Sequence, residues 1–180
     1  RRLFGRLAFL IALNLGAGTA WTAAPPGEYQ IKAAYLLNFA RYMEWPAARL
    51  PIGALLRLCV LGRDPFGGAL MGLEGRQVNG HEMRLRQIEG VDQAGDCHLV
   101  FIADSEERRL GLLLRGLAGK GVLSVSDADG FAEAGGGIGL VVEDGRVRFD
   151  INHAALQRDG LRASSQLLRL GRNVLGVRGF

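Results

Sequence analysis

The residues of this chain that could do chemistry are few and scattered. Cys59 and Cys97 are its only cysteines, and His81, His98 and His153 its only histidines. Neither cysteine belongs to a CxxC pair, and no histidine has a thiol or carboxylate partner at ligand spacing. Dithiol redox catalysis and a zinc site are therefore both unsupported. Ser124 and Ser126 alternate at the end of an apolar run but lack the Gly-x-Ser-x-Gly elbow that exposes a nucleophile. Asp127 and Asp129 read as turn residues after that run, with cation binding the alternative. Asp104, Glu106 and Glu107 suit the start of a helix, where carboxylates complement the helix dipole. The loop Gly62-Arg-Asp-Pro-Phe-Gly67 follows a strand and precedes a helical piece, a common ligand position in α/β proteins. It has neither the Lys-Ser/Thr of a phosphate loop nor the glycine spacing of a dinucleotide fingerprint, and Asp64 is equally explained as a helix cap. No nucleophile, base and oxyanion donors can be assembled, so the expectation is a protein without catalytic centre, cofactor or metal.

Two polar sets suit recognition instead. In the apolar segment 31–46, Tyr35, Asn38, Arg41, Glu44 and Trp45 bring polar tips into a helix that otherwise reads as core. Tyr35, Asn38, Phe39 and Trp45 are expected either to pack or to contact a ligand or a second copy. Arg148, Asp150 and Asn152 alternate with Phe149 and Ile151, either as a solvent face or as a stripe that meets a partner protein.

These residues must be positioned by alternating strands and helices. The first helix lies within 31–46 and ends at Trp45, because Pro46 disfavours helix at the preceding residue. Apolar runs at 55–61, 97–103 and 122–127 read as buried strands, and 83–88 as a half-buried one. Asp104-Ser-Glu-Glu107 opens a helix with Leu110, Leu113, Leu114 and Leu117 at core spacing. Asp144-Gly145 marks the tip of a hairpin between 138–142 and 146–151. Asn152 caps a helix over 153–158 that Gly160 closes, and a last helix carries Leu167, Leu168, Leu170 and Val174. The fold class expected is a single three-layer α/β domain, with a mostly parallel or mixed sheet, helices on both faces and a C-terminal β-hairpin plus helix.

The first 24 residues read differently. Arg1, Arg2 and Arg6 precede a short apolar run at 7–15 and then small residues, the layout of a secretory signal peptide; an uncleaved anchor is the alternative. The domain is expected over 25–180. Of 22 basic residues three lie in the leader, so the remainder nearly balance the 18 acidic ones. Such a domain carries no electrostatic footprint for nucleic acid. In an exported protein the pair Cys59 and Cys97 is most simply a disulfide, with two buried thiols the alternative.

The motifs Lys32-Ala-Ala-Tyr-Leu-Leu-Asn-Phe39 and Glu44-Trp45-Pro46 resemble the opening of the YfiR family of exported bacterial proteins. So do Cys59-Val-Leu-Gly-Arg-Asp-Pro-Phe-Gly67, Gly75-Arg-Gln-Val-Asn79, Cys97-His-Leu-Val-Phe-Ile102 and Leu123-Ser-Val-Ser-Asp127. Gly130-Phe131, Val147-Arg-Phe-Asp-Ile-Asn152, Gly160-Leu161 and Ser164-Ser-Gln-Leu-Leu168 continue the match in order over about 28–175. The resemblance implies a periplasmic α/β protein that regulates rather than catalyses. It would bind the periplasmic part of an inner-membrane diguanylate cyclase and hold it back, lowering cyclic di-GMP and biofilm formation. An outer-membrane lipoprotein could sequester it, and a homodimer is implied. Cys59 and Cys97 match one disulfide of such proteins. The second pair that some members carry has no counterpart here, since Ala132-Glu-Ala-Gly-Gly-Gly-Ile-Gly139 contains no cysteine. That departure counts against a two-disulfide redox switch. A periplasmic small-molecule sensor, with Tyr35, Phe39 and Trp45 lining an aromatic site, is the alternative.

Overall fold

A computed structural model describes residues 27–176; the expected signal peptide lies outside them. The elements run α1 (Glu28–Tyr42), β1 (Met43–Glu44), β2 (Leu56–Leu61), β3 (Gln77–Val78), β4 (His81–Ile88), β5 (Leu99–Ile102), α2 (Leu110–Leu117), β6 (Leu123–Ser126), β7 (Ile138–Glu143), β8 (Arg146–Asn152), α3 (His153–Arg158), β9 (Arg162–Ala163), α4 (Ser165–Leu170) and β10 (Asn173–Leu175). Eight strands form one mixed sheet in the order β10-β8-β7-β6-β5-β2-β4-β3, and β1 pairs with β9 apart from it. The centre from β4 to β7 is parallel; β3 runs antiparallel to β4 and β8 antiparallel to β7, and β10 is parallel to β8.

Strand alternation divides the core into two layers. Leu56, Leu58 and Val60 of β2, with Leu99 and Phe101 of β5, face α1 together with Leu156 of α3 and Leu167 of α4. Cys59, Leu61, Val100 and Ile102 face the other way, onto Leu110, Leu113, Leu114 and Leu117 of α2. Strands covered on both faces need no polar side, which is why 99–102 is apolar throughout and 56–61 is interrupted only by Arg57. The expected α/β class, with helices on both faces of a mixed sheet, is what the chain adopts.

Several elements depart from the expectation. α1 starts at Glu28 and ends at Tyr42, before Pro46 can act. Met43 turns extended, with φ −105° and ψ 139°, and Met43 and Glu44 pair with Ala163 and Arg162. The helix's last carbonyls find outside donors: Asn79 Nδ2 donates to Arg41 O at 2.8 Å, and Ser164 N to Tyr42 O at 2.9 Å. Segment 104–109 is a 3₁₀ helix rather than the first turn of α2, with no side-chain cap. Ser105 Oγ instead accepts from Arg63 N at 3.0 Å, bracing the loop after β2. The last helix is only α4, capped by Ser164 Oγ, and Val174 belongs to edge strand β10. Gly171 permits that change. A Cβ there would stand 3.2 Å from Ile151 Cδ1, so the chain passes close against β8.

The hairpin forms as its sequence dictates. Asp144 and Gly145 both take positive φ, 50° and 71°, the requirement of a two-residue turn that matches strand twist.

Candidate functional site

Cys59 lies in the middle of β2 and Cys97 just before the neighbouring strand β5. Their Cα atoms are 6.0 Å apart and the two sulfurs are bonded. Both residues are fully buried. Next to this bridge His98 ties three segments together. Its Nδ1 accepts from Arg57 N at 3.0 Å, and with Nδ1 so used, Nε2 carries the proton and donates to Arg49 O at 2.9 Å. His98 O accepts from Trp45 Nε1 at 3.1 Å, and the indole lies edge-on to the imidazole with centroids 6.3 Å apart. Burial drives the His98 pKa below the ordinary histidine value, against a smaller upward pull from the bond to Arg49.

Trp45 also borders a cavity of about 190 Å³. Ala40, Met43, Leu50 and Leu56 give it apolar walls, and Glu44, Asn79 and His81 a polar rim. Asn79 spends one of its two amide N–H groups on Arg41 O, and His81 Nδ1 lies 2.8 Å from Ala54 O, where it must donate. What remains for an occupant is one Asn79 N–H and otherwise acceptors: Asn79 Oδ1, His81 Nε2 and the Glu44 carboxylate.

Tyr35 and Phe39, expected beside Trp45, are not at this cavity. Phe39 is buried, and Tyr35 packs beside it against Phe149, with ring centroids 5.8 and 5.5 Å from the two. The Tyr35 hydroxyl donates to Val147 O at 3.1 Å. Tyr35 and Phe39 therefore join α1 to the hairpin, Trp45 stands alone at the cavity, and Asn38 is half-buried.

The stripe on β8 is split in the same way. Arg148 is exposed, with Glu143 at 3.9 Å. Asp150 is buried. Its carboxylate takes Arg172 Nε at 2.9 Å, Arg172 Nη2 at 2.5 Å and Asn173 Nδ2 at 3.0 Å, anchoring the start of β10. Those bonds to Arg172, reinforced by its charge and by Asn173, hold Asp150 below the ordinary carboxylate range against the opposing effect of burial. Asn152 caps α3 by accepting from Ala155 N at 2.9 Å, and its amide donates to Ala132 O at 2.8 Å. Arg148 alone of the three is open to a partner.

A polar cluster that the sequence did not disclose sits at the end of β6. Lys32 on α1 has a 4% exposed side chain, and its Nζ lies 2.6 Å from Asp127 Oδ2 and 2.5 Å from Glu28 Oε1. Tyr29 Oη donates to the same Asp127 oxygen at 2.9 Å, and the ammonium stands 4.4 Å from the Tyr29 ring centroid. Burial disfavours the charged ammonium, but the hydrogen bonds to Asp127 and Glu28 outweigh it and raise Lys32 above its ordinary value. Burial, and then the bond to Asp127, push the Tyr29 phenol up to about 12. The i, i+4 pair Glu28 and Lys32 was visible in the sequence; the partner 95 residues away was not. Ser124 and Ser126 serve the backbone: Ser126 Oγ donates to Ile102 O, and Ser124 Oγ accepts from Gly137 N.

Among the described residues no three or more His, Cys, Asp or Glu side chains are grouped to hold a metal ion, and no helix is long and apolar enough to cross a membrane.

Two solved structures share the architecture. One is an ABC domain in complex with L-Trp from Streptococcus pneumonia, with TM-score 0.54 and 8% identity over 79% of this chain and 60% of that one. The other is a conserved domain protein from Vibrio cholerae O1 biovar eltor, with TM-score 0.53 and 10% identity over 82% of this chain and 60% of that one. This chain thus spans 60% of the length of each, and at such identities the likeness is one of fold alone. Sequence carries the relationship further, because the model of the YfiR/HmsC-like family matches residues 29–172, from the first turn of α1 to the arginine that anchors β10. The chain belongs to the YfiR/HmsC-like family.

Proposed function

We propose that this protein is an exported negative regulator that acts in the periplasm, binding the periplasmic part of an inner-membrane diguanylate cyclase and favouring its inactive state. Membership of the YfiR/HmsC-like family carries this reading. On it, residues 1–24 are a signal peptide and 25–180 the regulatory domain. Repression is a population shift: the regulator binds the inactive cyclase more tightly, and a competing outer-membrane lipoprotein removes it by binding the same repressor. The regulator has no chemistry of its own to perform and acts as a homodimer. The oxidised Cys59–Cys97 pair is consistent with residence in an oxidising compartment. Deleting the gene in its host and measuring cyclic di-GMP tests the proposal. A rise is expected; an unchanged level in cells with a working cyclase rejects it.

The cavity beside Trp45 favours a second reading, a small-molecule sensor. Three acceptors around apolar walls and an indole suit a small apolar amine, whose ammonium would meet Asn79, His81 and Glu44, the last of which has only exposed Arg162 at 4.0 Å. A thermal-shift panel of arylalkyl and alkyl amines tests it. Stabilisation that vanishes in Trp45→Ala supports a sensor, and no shift across the panel rejects it.

A further inference from the structure

A second concave surface lies on the opposite side of the sheet, along α2. Gly111, Arg115 and Ala118 form one wall at helical spacing, Leu114 lies between them, and Ala134, Gly135 and Arg158 form the other. The groove measures about 200 Å³. Four of these residues, Gly111, Ala118, Ala134 and Gly135, have little or no side chain, which helps to keep the groove open. A Cβ on Gly135 would meet nothing within 4 Å, and one on Gly111 would first meet Arg115 Nη1 at 3.6 Å. Among the described residues, the ionic groups lining it are two guanidiniums.

Neither guanidinium is well used within the fold. Arg115 has no ion pair among the described residues. Arg158 reaches Gly135 O and Asp159 Oδ2 only at 3.5 Å each, and the other Asp159 oxygen is taken by Gly119 N at 2.6 Å. Two guanidiniums line one groove and only Arg158 has a carboxylate nearby, at 3.5 Å, so the groove carries net positive charge and offers a further carboxylate planar, two-pronged hydrogen bonds. Leu112, 61% exposed on the same helix, puts an apolar contact beside the charged ones. Exposed Lys120, just past the helix end, adds a further cation on the approach.

We infer that this groove is a docking site for an acidic segment of a partner protein, one carboxylate side chain lying between Arg115 and Arg158 and an adjacent apolar residue on Leu112. A concave slot favours a peptide over a flat anionic membrane. The inference deepens the regulatory reading, resting on it for the partner being a protein, and names the face that meets it.

The test uses the purified disulfide-bonded protein and a fluorescein-labelled peptide of about a dozen alternating Glu and Leu residues, followed by fluorescence anisotropy at low ionic strength. Saturable binding is expected. It should weaken by about tenfold or more in Arg115→Glu/Arg158→Glu and as salt screens the charges, and hold in Arg41→Glu/Arg86→Glu on other surfaces. Equal melting midpoints for the variants and the parent establish that the fold is unchanged. No binding, equal loss in both pairs, equal binding of a Lys-for-Glu peptide, or capture by phosphatidylglycerol vesicles in place of the peptide would each overturn the inference. The two readings fail separately. A deletion strain with unchanged cyclic di-GMP removes the regulator and leaves the peptide titration to decide the groove. A rise in cyclic di-GMP without peptide binding removes the groove alone.

Discussion

Arg172 grips Asp150 with two guanidinium nitrogens, Nε to Oδ1 at 2.9 Å and Nη2 to Oδ2 at 2.5 Å, and this pair fixes where the C-terminal strand begins. Among the described residues β10 pairs through Asn173, Val174 and Leu175, too short an element to hold by backbone bonds alone. Removing the anchor should therefore loosen β10 before it unfolds the sheet. Arg172→Ala is expected to open a proteolytic site near Gly171 and to lower the melting midpoint more than Arg148→Ala, whose side chain is exposed. Equal midpoints and equal protease resistance for the two variants would contradict this. The pH dependence follows from the lowered Asp150 pKa. A depressed carboxylate contributes stability that is present above its unfolded value, near 3.9, and lost as pH falls through the folded value. The stability gap between wild type and Asp150→Asn should thus be constant from neutral pH to about 4 and close below it.

The Lys32–Asp127 pair makes a different prediction, because both side chains are nearly inaccessible, at 4% and 7%. Breaking such a pair strands a charge. Lys32→Met and Asp127→Ala should each cost about 3 kcal/mol in urea unfolding, and the double variant less than their sum. Additive losses, or single losses under about 0.5 kcal/mol, would show that the pair is not coupled.

His98 predicts an acid-sensitive window. Its folded pKa is lowered by burial, so the unfolded chain binds the proton first as pH falls. Stability is complete above the ordinary value near 6.5 and declines from there down to the folded pKa. Protonation would also remove the acceptor that Nδ1 offers Arg57 N. Urea midpoints measured from pH 7 to 5 should fall in the wild type. In His98→Gln they should fall less, and equal slopes would refute the assignment.

The disulfide closes a sequence separation of 38 residues. On the chain-entropy model its removal in Cys59→Ala/Cys97→Ala costs about 4 kcal/mol, less any relief of native strain. The sheet core around it remains apolar, so the variant should stay folded but melt earlier. An unaltered midpoint would mean that the bond does little to restrict the unfolded chain.

Much of the architecture could be read from local pattern. The runs 56–61 and 99–102 announce strands covered on both faces, Asp144-Gly145 announces its turn, and Asn152 its helix. Each is decided by neighbours a few residues away. What escaped depends on distant partners. Met43 and Glu44 leave the helix because Ala163 and Arg162 offer them a strand. Val174 reads as helical until Arg172 is anchored on Asp150. Nothing local to Lys32 reveals its carboxylate partner, Asp127, just past the end of β6. The candidate site was less legible still: Tyr35, Phe39 and Trp45 fall in one helical segment, yet only Trp45 reaches the cavity, because the chain turns out of helix at Met43.

The burial of Cys59 and Cys97 turns their bond into a gauge of opening. With neither residue accessible in the closed domain, a dissolved thiol can attack only while the layer covering them, α2 among it, is lifted from the sheet. The time course of reduction in folded protein then counts those excursions, and anything that clasps the domain shut should slow the chemistry without touching a sulfur atom.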